Sequence, residues 1–160
     1  MSKKTKIFVV DDDLPVTSML CMFIQQQGFT DVTALYSVEE LLARIPIGQP
    51  AIIVQDFDFP GLSGLDAIKR IKPKYPGIEF IFLSGQQNIN VAIEAIRQGA
   101  FDYIVKDSFA KENVVIKIRN LLHTKELEKK RTRFRFLLLV LTGLALVGWL
   151  LALVLYLSGT

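Results

Sequence analysis

Short runs of β-branched and aromatic residues recur along the first three-quarters of the chain, and each is followed by a stretch in which apolar residues fall at helical spacing. This pattern predicts strands near 6–10, 31–35, 51–55, 78–83 and 102–105. It predicts helices near 14–27, 38–45, 64–73 and 88–98, with a last one starting near 108. In the first helix Leu14, Met19, Leu20, Phe23 and Ile24 can share one face, and Gly28 ends it. Gly99 sits where the fourth helix should stop. Five strands alternating with five helices imply an α/β fold with a parallel sheet covered on both faces.

The pattern then changes. Residues 136–157 form an apolar run of 22 positions, 11 of them Leu, in which only Thr142, Gly143 and Gly148 interrupt the bulky side chains, and no charged residue follows Arg135. As a helix such a run spans roughly 33 Å, enough to cross a bilayer core. A helix apolar on every side needs either a large protein or lipid around it, and about 120 residues of soluble fold cannot supply the former. The expected organisation is therefore a globular domain over 1–122, a basic juxtamembrane segment over 123–135 and a single transmembrane helix over 136–157.

Charge agrees with this division. Residues 1–124 hold 13 Lys/Arg against 14 Asp/Glu, whereas residues 125–135 hold 6 against 2. One short basic run beside an apolar segment fits a membrane flank, not a nucleic-acid surface. The positive-inside rule puts the globular part in the cytoplasm, anchored by a single pass. The single cysteine, Cys21, excludes a disulfide framework within one chain.

In sheets of this kind, sites form at the carboxyl ends of strands where the strand order reverses. Polar residues lie at those ends: Asp11 and Asp12, Asp56, Ser84 and Lys106. With strand order 2-1-3-4-5 the first and third strands are neighbours, and three carboxylates converge. They cannot all stay ionised cheaply without a cation, and a hard divalent ion such as Mg²⁺ suits oxygen ligands. A metal ion, the Lys106 ammonium and the Ser84 hydroxyl around Asp56 would stabilise a phosphoryl group carried on that carboxylate. Asp13, directly before the Leu14-Pro15 helix start, reads as a helix cap.

The stretches VVDDD (9–13), QDFDFPGLSG (55–64), FLSG (82–85) and DYIVKD (102–107), in this order, resemble the response-regulator receiver domains of the CheY-like family. The resemblance covers residues 5 to about 122. It implies a flavodoxin-like five-stranded sheet and a phosphoryl group received on Asp56 from a histidine kinase or phosphotransfer protein. Asp11, Asp12 and Asp56, with the backbone carbonyl of Asp58, would hold Mg²⁺. Ser84 and Lys106 would bind the phosphoryl oxygens, and Ser84 and Tyr103 would form the conformational switch. Asp58 and Gln86 fall where the family tunes its dephosphorylation rate. One departure is Asp107, which stands where the family usually has proline after the lysine.

Output through protein contacts, including a homodimer, is expected instead of enzymatic turnover, since no further catalytic domain fits in the length. The alternative is a pseudo-receiver that is never phosphorylated and serves as a membrane adaptor. DFDF at 56–59 also fits the first motif of haloacid-dehalogenase-like phosphatases. Those enzymes, however, place their acidic metal pair after the lysine, and here it precedes the nucleophile.

Overall fold

The structure, a computed structural model, describes residues 4–60, 62–85 and 89–158, with the side chains at 89, 145, 147 and 149–158 outside the described set. Five strands alternate with five helices: β1 (Ile7–Val10), α1 (Leu14–Gln26), β2 (Val32–Leu35), α2 (Val38–Arg44), β3 (Ile52–Asp56), α3 (Gly64–Ile71), β4 (Glu79–Ser84), α4 (Ile89–Arg97), β5 (Asp102–Val105) and α5 (Ala110–Ser158). The strands are parallel in the order β2-β1-β3-β4-β5, as expected for a flavodoxin-like sheet. Strands buried on both faces need near-continuous apolar runs, and IFVV in β1 and FIFL within β4 supply them.

Alternate residues serve different layers. Phe8, Val10, Ile53, Phe80 and Phe82 pack with Val38, Leu41, Ala67, Ile68 and Ala95 from α2, α3 and α4. On the other face, Leu83 lines a cavity with Val16, Met19 and Leu20 of α1 and Val114 of α5. The chain divides after Arg119 into two units, Met1–Arg119 and Asn120–Thr160.

Three sequence expectations shift. The core stripe of α1 is Thr17, Leu20, Cys21 and Ile24, whereas Leu14 and Met19 are 57% and 53% exposed. Thr17 can take a core position because its one hydroxyl proton has a backbone acceptor in reach, the Asp11 oxygen at 2.9 Å or the Asp13 oxygen at 2.8 Å, leaving no unpaired donor. Burial pushes the neighbouring Cys21 thiol up to about 11, so it is an inert core residue. Second, Asp56 and Ser84 end β3 and β4, where they were expected just beyond them. The pairing extends because the Phe57 N–H donates to the Leu83 oxygen and the Lys106 N–H to the Ser84 oxygen. Third, the backbone of α5 continues through 136–157, but among the described residues no helix is long and apolar enough to cross a membrane. The side chains at 145, 147 and 149–157 of that run lie outside the described set.

Local signals behave as their chemistry requires. Asp13 caps α1, accepting from the Val16 N–H at 3.0 Å. Gly28 and Gly99 follow α1 and α4 with φ of 94° and 92°, the left-handed conformation that glycine adopts without strain. Gly64 opens α3 against β4: a Cβ there would come within 2.7 Å of the Phe82 ring and 3.0 Å of the Asp56 carbonyl. Only glycine lets α3 start this close to the end of β3.

A capping box of Ser63 and Asp66 starts the same helix, and these hydrogen bonds hold the Asp66 carboxyl below its ordinary range. A carboxylate whose folded pKa is depressed stabilises the fold above its unfolded pKa, and that contribution is lost as pH falls through the folded value. Asp66→Ala should therefore be less stable than the parent at pH 7. The urea midpoints of the two proteins should converge as pH falls below about 4.

Candidate functional site

The adjacency of β1 and β3 in the sheet brings Asp11, just past β1, beside Asp56 at the end of β3. Lys106 follows β5, two strands from β3, and its long side chain returns to the pair. Its Nζ lies 2.8 Å from Asp11 Oδ2 and 2.9 Å from Asp56 Oδ2. Asp11 is further fixed by the Asp13 N–H, which donates to its Oδ1 at 3.0 Å. Asp12, exposed, completes a cluster in which one oxygen from each of Asp11, Asp12 and Asp56 lies within 4.8 Å of the others.

Burial decides the electrostatics. Asp56 is 6% exposed, and desolvation raises its pKa although the Lys106 hydrogen bond and charge pull the other way. Burial also pulls Lys106 down, but the hydrogen bonds to Asp11 and Asp56 and their charges outweigh it, and its pKa rises. Formally, three carboxylates against one ammonium leave a charge of −2. A hard cation with oxygen ligands at about 2.1 Å would hold those oxygens roughly 3–4 Å apart, so only a small closing of the cluster separates it from an Mg²⁺ site.

Ser84 is fully buried, and its hydroxyl donates to Asp58 Oδ2 at 3.2 Å. The Asp58 N–H in turn donates, at 3.4 Å, to Asp56 Oδ1. Asp58 thus faces both the Asp56 carboxylate and the serine. Register places Tyr103 in one row across the sheet with Leu35, Val10, Gln55 and Phe82. Its half-buried ring meets Phe57 edge-on, centroids 6.1 Å apart, and Phe57 meets Phe82 in the same manner. Gln86, expected at a position that tunes the dephosphorylation rate, lies outside the described residues. Asp107 has its own local role: its carboxylate accepts from the Phe109 N–H and its backbone oxygen from Ala110, so it shapes the turn into α5. The Lys106–Asp107 peptide bond is trans.

The same row holds a residue that sequence reasoning passed over. Gln55 is fully buried, and neither its amide nitrogen nor its amide oxygen has a partner among the described residues. Orphaned groups of this kind cost about 1–3 kcal/mol each. The signal was a lone polar residue inside the buried run IIVQD.

The sequence profile of the response regulator receiver domain matches residues 7–119, a stretch that contains every residue of this cluster. The chain belongs to that family. Among relatives, this receiver is 30% identical over 125 residues to the DNA-binding transcriptional regulator NtrC of Salmonella typhimurium, covering 78% of this chain and 26% of that protein. It is 32% identical over 117 residues to the nitrogen assimilation regulatory protein NtrX of Azorhizobium caulinodans, covering 72% and 26%. Among solved structures, a receiver domain protein from Clostridium thermocellum superposes with a TM-score of 0.70 at 28% identity, covering 77% of this chain and 98% of that one. NtrX from Brucella abortus gives 0.74 at 26%, covering 82% and 29%. The receiver domain thus spans about a quarter of the length of these curated relatives.

Proposed function

We propose that Asp56 accepts a phosphoryl group from the phosphohistidine of a histidine kinase or phosphotransfer protein, and that the protein signals at a membrane by changed protein contacts, not by turnover of a substrate. The observation that carries this reading is Lys106 bridging Asp11 and Asp56 at 2.8 and 2.9 Å at the sheet's switch point. An Asp56 oxygen forms the new O–P bond while the N–P bond to imidazole breaks, and the imidazole leaves with a proton from solvent. Lys106 has three N–H donors, enough to hold Asp11 and Asp56 in place and to meet a phosphoryl oxygen as charge moves onto it. Ser84 supplies a hydroxyl to a second phosphoryl oxygen, and Tyr103, in the same sheet row as Phe82, relays the change toward the α4–β5 face. Mg²⁺ held by Asp11, Asp12, Asp56 and the Asp58 backbone carbonyl would neutralise phosphoryl charge.

The membrane part of the proposal rests on the chemistry of 125–157. Phe136, Leu137, Leu139, Leu141, Leu144 and Leu146 are all exposed on α5, an arrangement that water penalises and lipid does not. Lys129, Lys130, Arg131, Arg133 and Arg135 fall all round the helix at roughly 100° per residue. A helix lying flat on a surface needs its cations on one face; a collar suits an upright crossing with the receiver on the cytoplasmic side.

The deciding experiment is intact-mass analysis of the full chain with Mg²⁺ and a small-molecule phosphodonor, with alkaline carbonate extraction of membranes from expressing cells. A hydroxylamine-labile gain of one phosphoryl group and retention in the pellet are expected. A folded protein that gains none would leave the membrane adaptor as the reading. Release by carbonate would remove the anchor.

A further inference from the structure

We propose that the Asp58 carboxylate is a built-in stand-in for the phosphoryl group: it holds the Ser84 hydroxyl in the unphosphorylated protein and must surrender it when Asp56 is phosphorylated. This inference rests on the reading of Asp56 as the phosphoacceptor and specifies how that site is regulated.

A serine hydroxyl has one proton to donate. In this structure it goes to Asp58 Oδ2 at 3.2 Å, across 26 residues of sequence. It cannot simultaneously go to an oxygen of a group on Asp56, so the two acceptors compete for one donor. Lys106 faces no such choice, because it has three N–H donors. Ser84 is fully buried, which leaves its hydroxyl no route to bulk water and makes its acceptor a consequential one.

Asp58 is suited to both holding and yielding. Its backbone N–H reaches Asp56 Oδ1 at 3.4 Å, which keeps the residue over the site. Its side chain is exposed, so the carboxylate can turn into solvent without burying a charge. A phosphoryl group arriving on Asp56 adds negative charge beside it and favours that turn. Asp58 is thus a positioning residue acting through Ser84, and the resting state is one that an anion already holds.

Beryllofluoride, a tetrahedral phosphoryl mimic, tests the competition when titrated into the full-length chain with Mg²⁺. A hydrogen bond to a charged acceptor is worth about tenfold to a hundredfold in affinity. Asp58→Ala should therefore bind the mimic at least about tenfold more tightly than the parent, and Asp58→Asn should fall between them. In the Ser84→Ala background the gain from Asp58→Ala should shrink to that of charge removal alone, about threefold or less. A second readout needs no metal or mimic: in Mg²⁺-free protein, NMR couplings should show Ser84 in one side-chain rotamer in the parent and several in Asp58→Ala. Equal affinities in parent and Asp58→Ala, or an undiminished gain in the Ser84→Ala background, would overturn the proposal. Absence of both beryllofluoride binding and phosphoryl uptake in every variant would instead overturn the phosphoacceptor reading, and this proposal with it.

Discussion

In Asp56→Asn the hydroxylamine-labile gain of one phosphoryl group disappears, and the Mg²⁺-free folded state becomes more stable than the parent. The first effect follows from removing the nucleophilic carboxylate. The second follows from burial. Asp56 is almost fully enclosed, and desolvation raises its pKa even after the attraction of Lys106 is counted. A carboxyl whose folded pKa lies above its unfolded value loses stability as pH rises from the ordinary aspartate range through the folded pKa, and above that the deficit is constant. At pH 7 the ionised side chain is therefore a net burden, which an amide of the same shape relieves. The gain should be about 0.5–2 kcal/mol, the size seen when functional strain is removed. It should shrink when Mg²⁺ is added, because the ion stabilises only the parent cluster. Urea midpoints in EDTA and in Mg²⁺ provide the check, and equal midpoints in EDTA would contradict the argument.

Lys106→Met should act in the opposite sense on stability. It leaves two buried carboxylates, Asp11 and Asp56, facing each other with no ammonium between them. Removing one partner of a buried ion pair costs about 3–5 kcal/mol, and the partial exposure of Lys106 puts this case toward the lower end. Because the deficit comes from buried carboxylate charge, and burial already raises the Asp56 pKa, the variant should regain stability relative to the parent as pH falls and Asp56 protonates. Combining Lys106→Met with Asp56→Asn should recover much of the loss, since it removes one of the two charges. Phosphoryl uptake should slow by the order of 10²-fold, the usual consequence of deleting one donor from a site where charge develops. Denaturation in EDTA across pH and single-turnover labelling with a small phosphodonor measure the two effects. A variant as stable as its parent at pH 7 would mean the carboxylates are not jointly ionised.

The elements themselves were legible because each is written locally. Strand runs such as IFVV, the Asp13 cap before Leu14-Pro15, and the glycines at 28 and 99 act within a few residues of where they stand. The error in α1 has the same origin. Leu14 and Met19 fit an apolar stripe by spacing, but the buried stripe runs through Thr17, whose hydroxyl is satisfied only when the Asp11 and Asp13 carbonyls are positioned by the fold. Gln55 was passed over for a related reason: a polar residue in an apolar run gives no hint of which face it occupies until the register is known.

By itself, the sequence determined where the polar candidates stand and where hydrophobicity is concentrated: Asp11, Asp12, Asp56, Ser84 and Lys106 at strand ends, and an apolar run beyond Arg135. The particular pairings within that cluster were decided by tertiary structure. Lys106 reaches Asp11 across 95 residues, and Ser84 reaches Asp58 across 26. Both contacts exist because parallel pairing in the order β2-β1-β3-β4-β5 sets these strand ends side by side. Hydrophobic periodicity specifies a strand and its two faces, but strand order is settled by the packing of every layer at once, which no local pattern encodes.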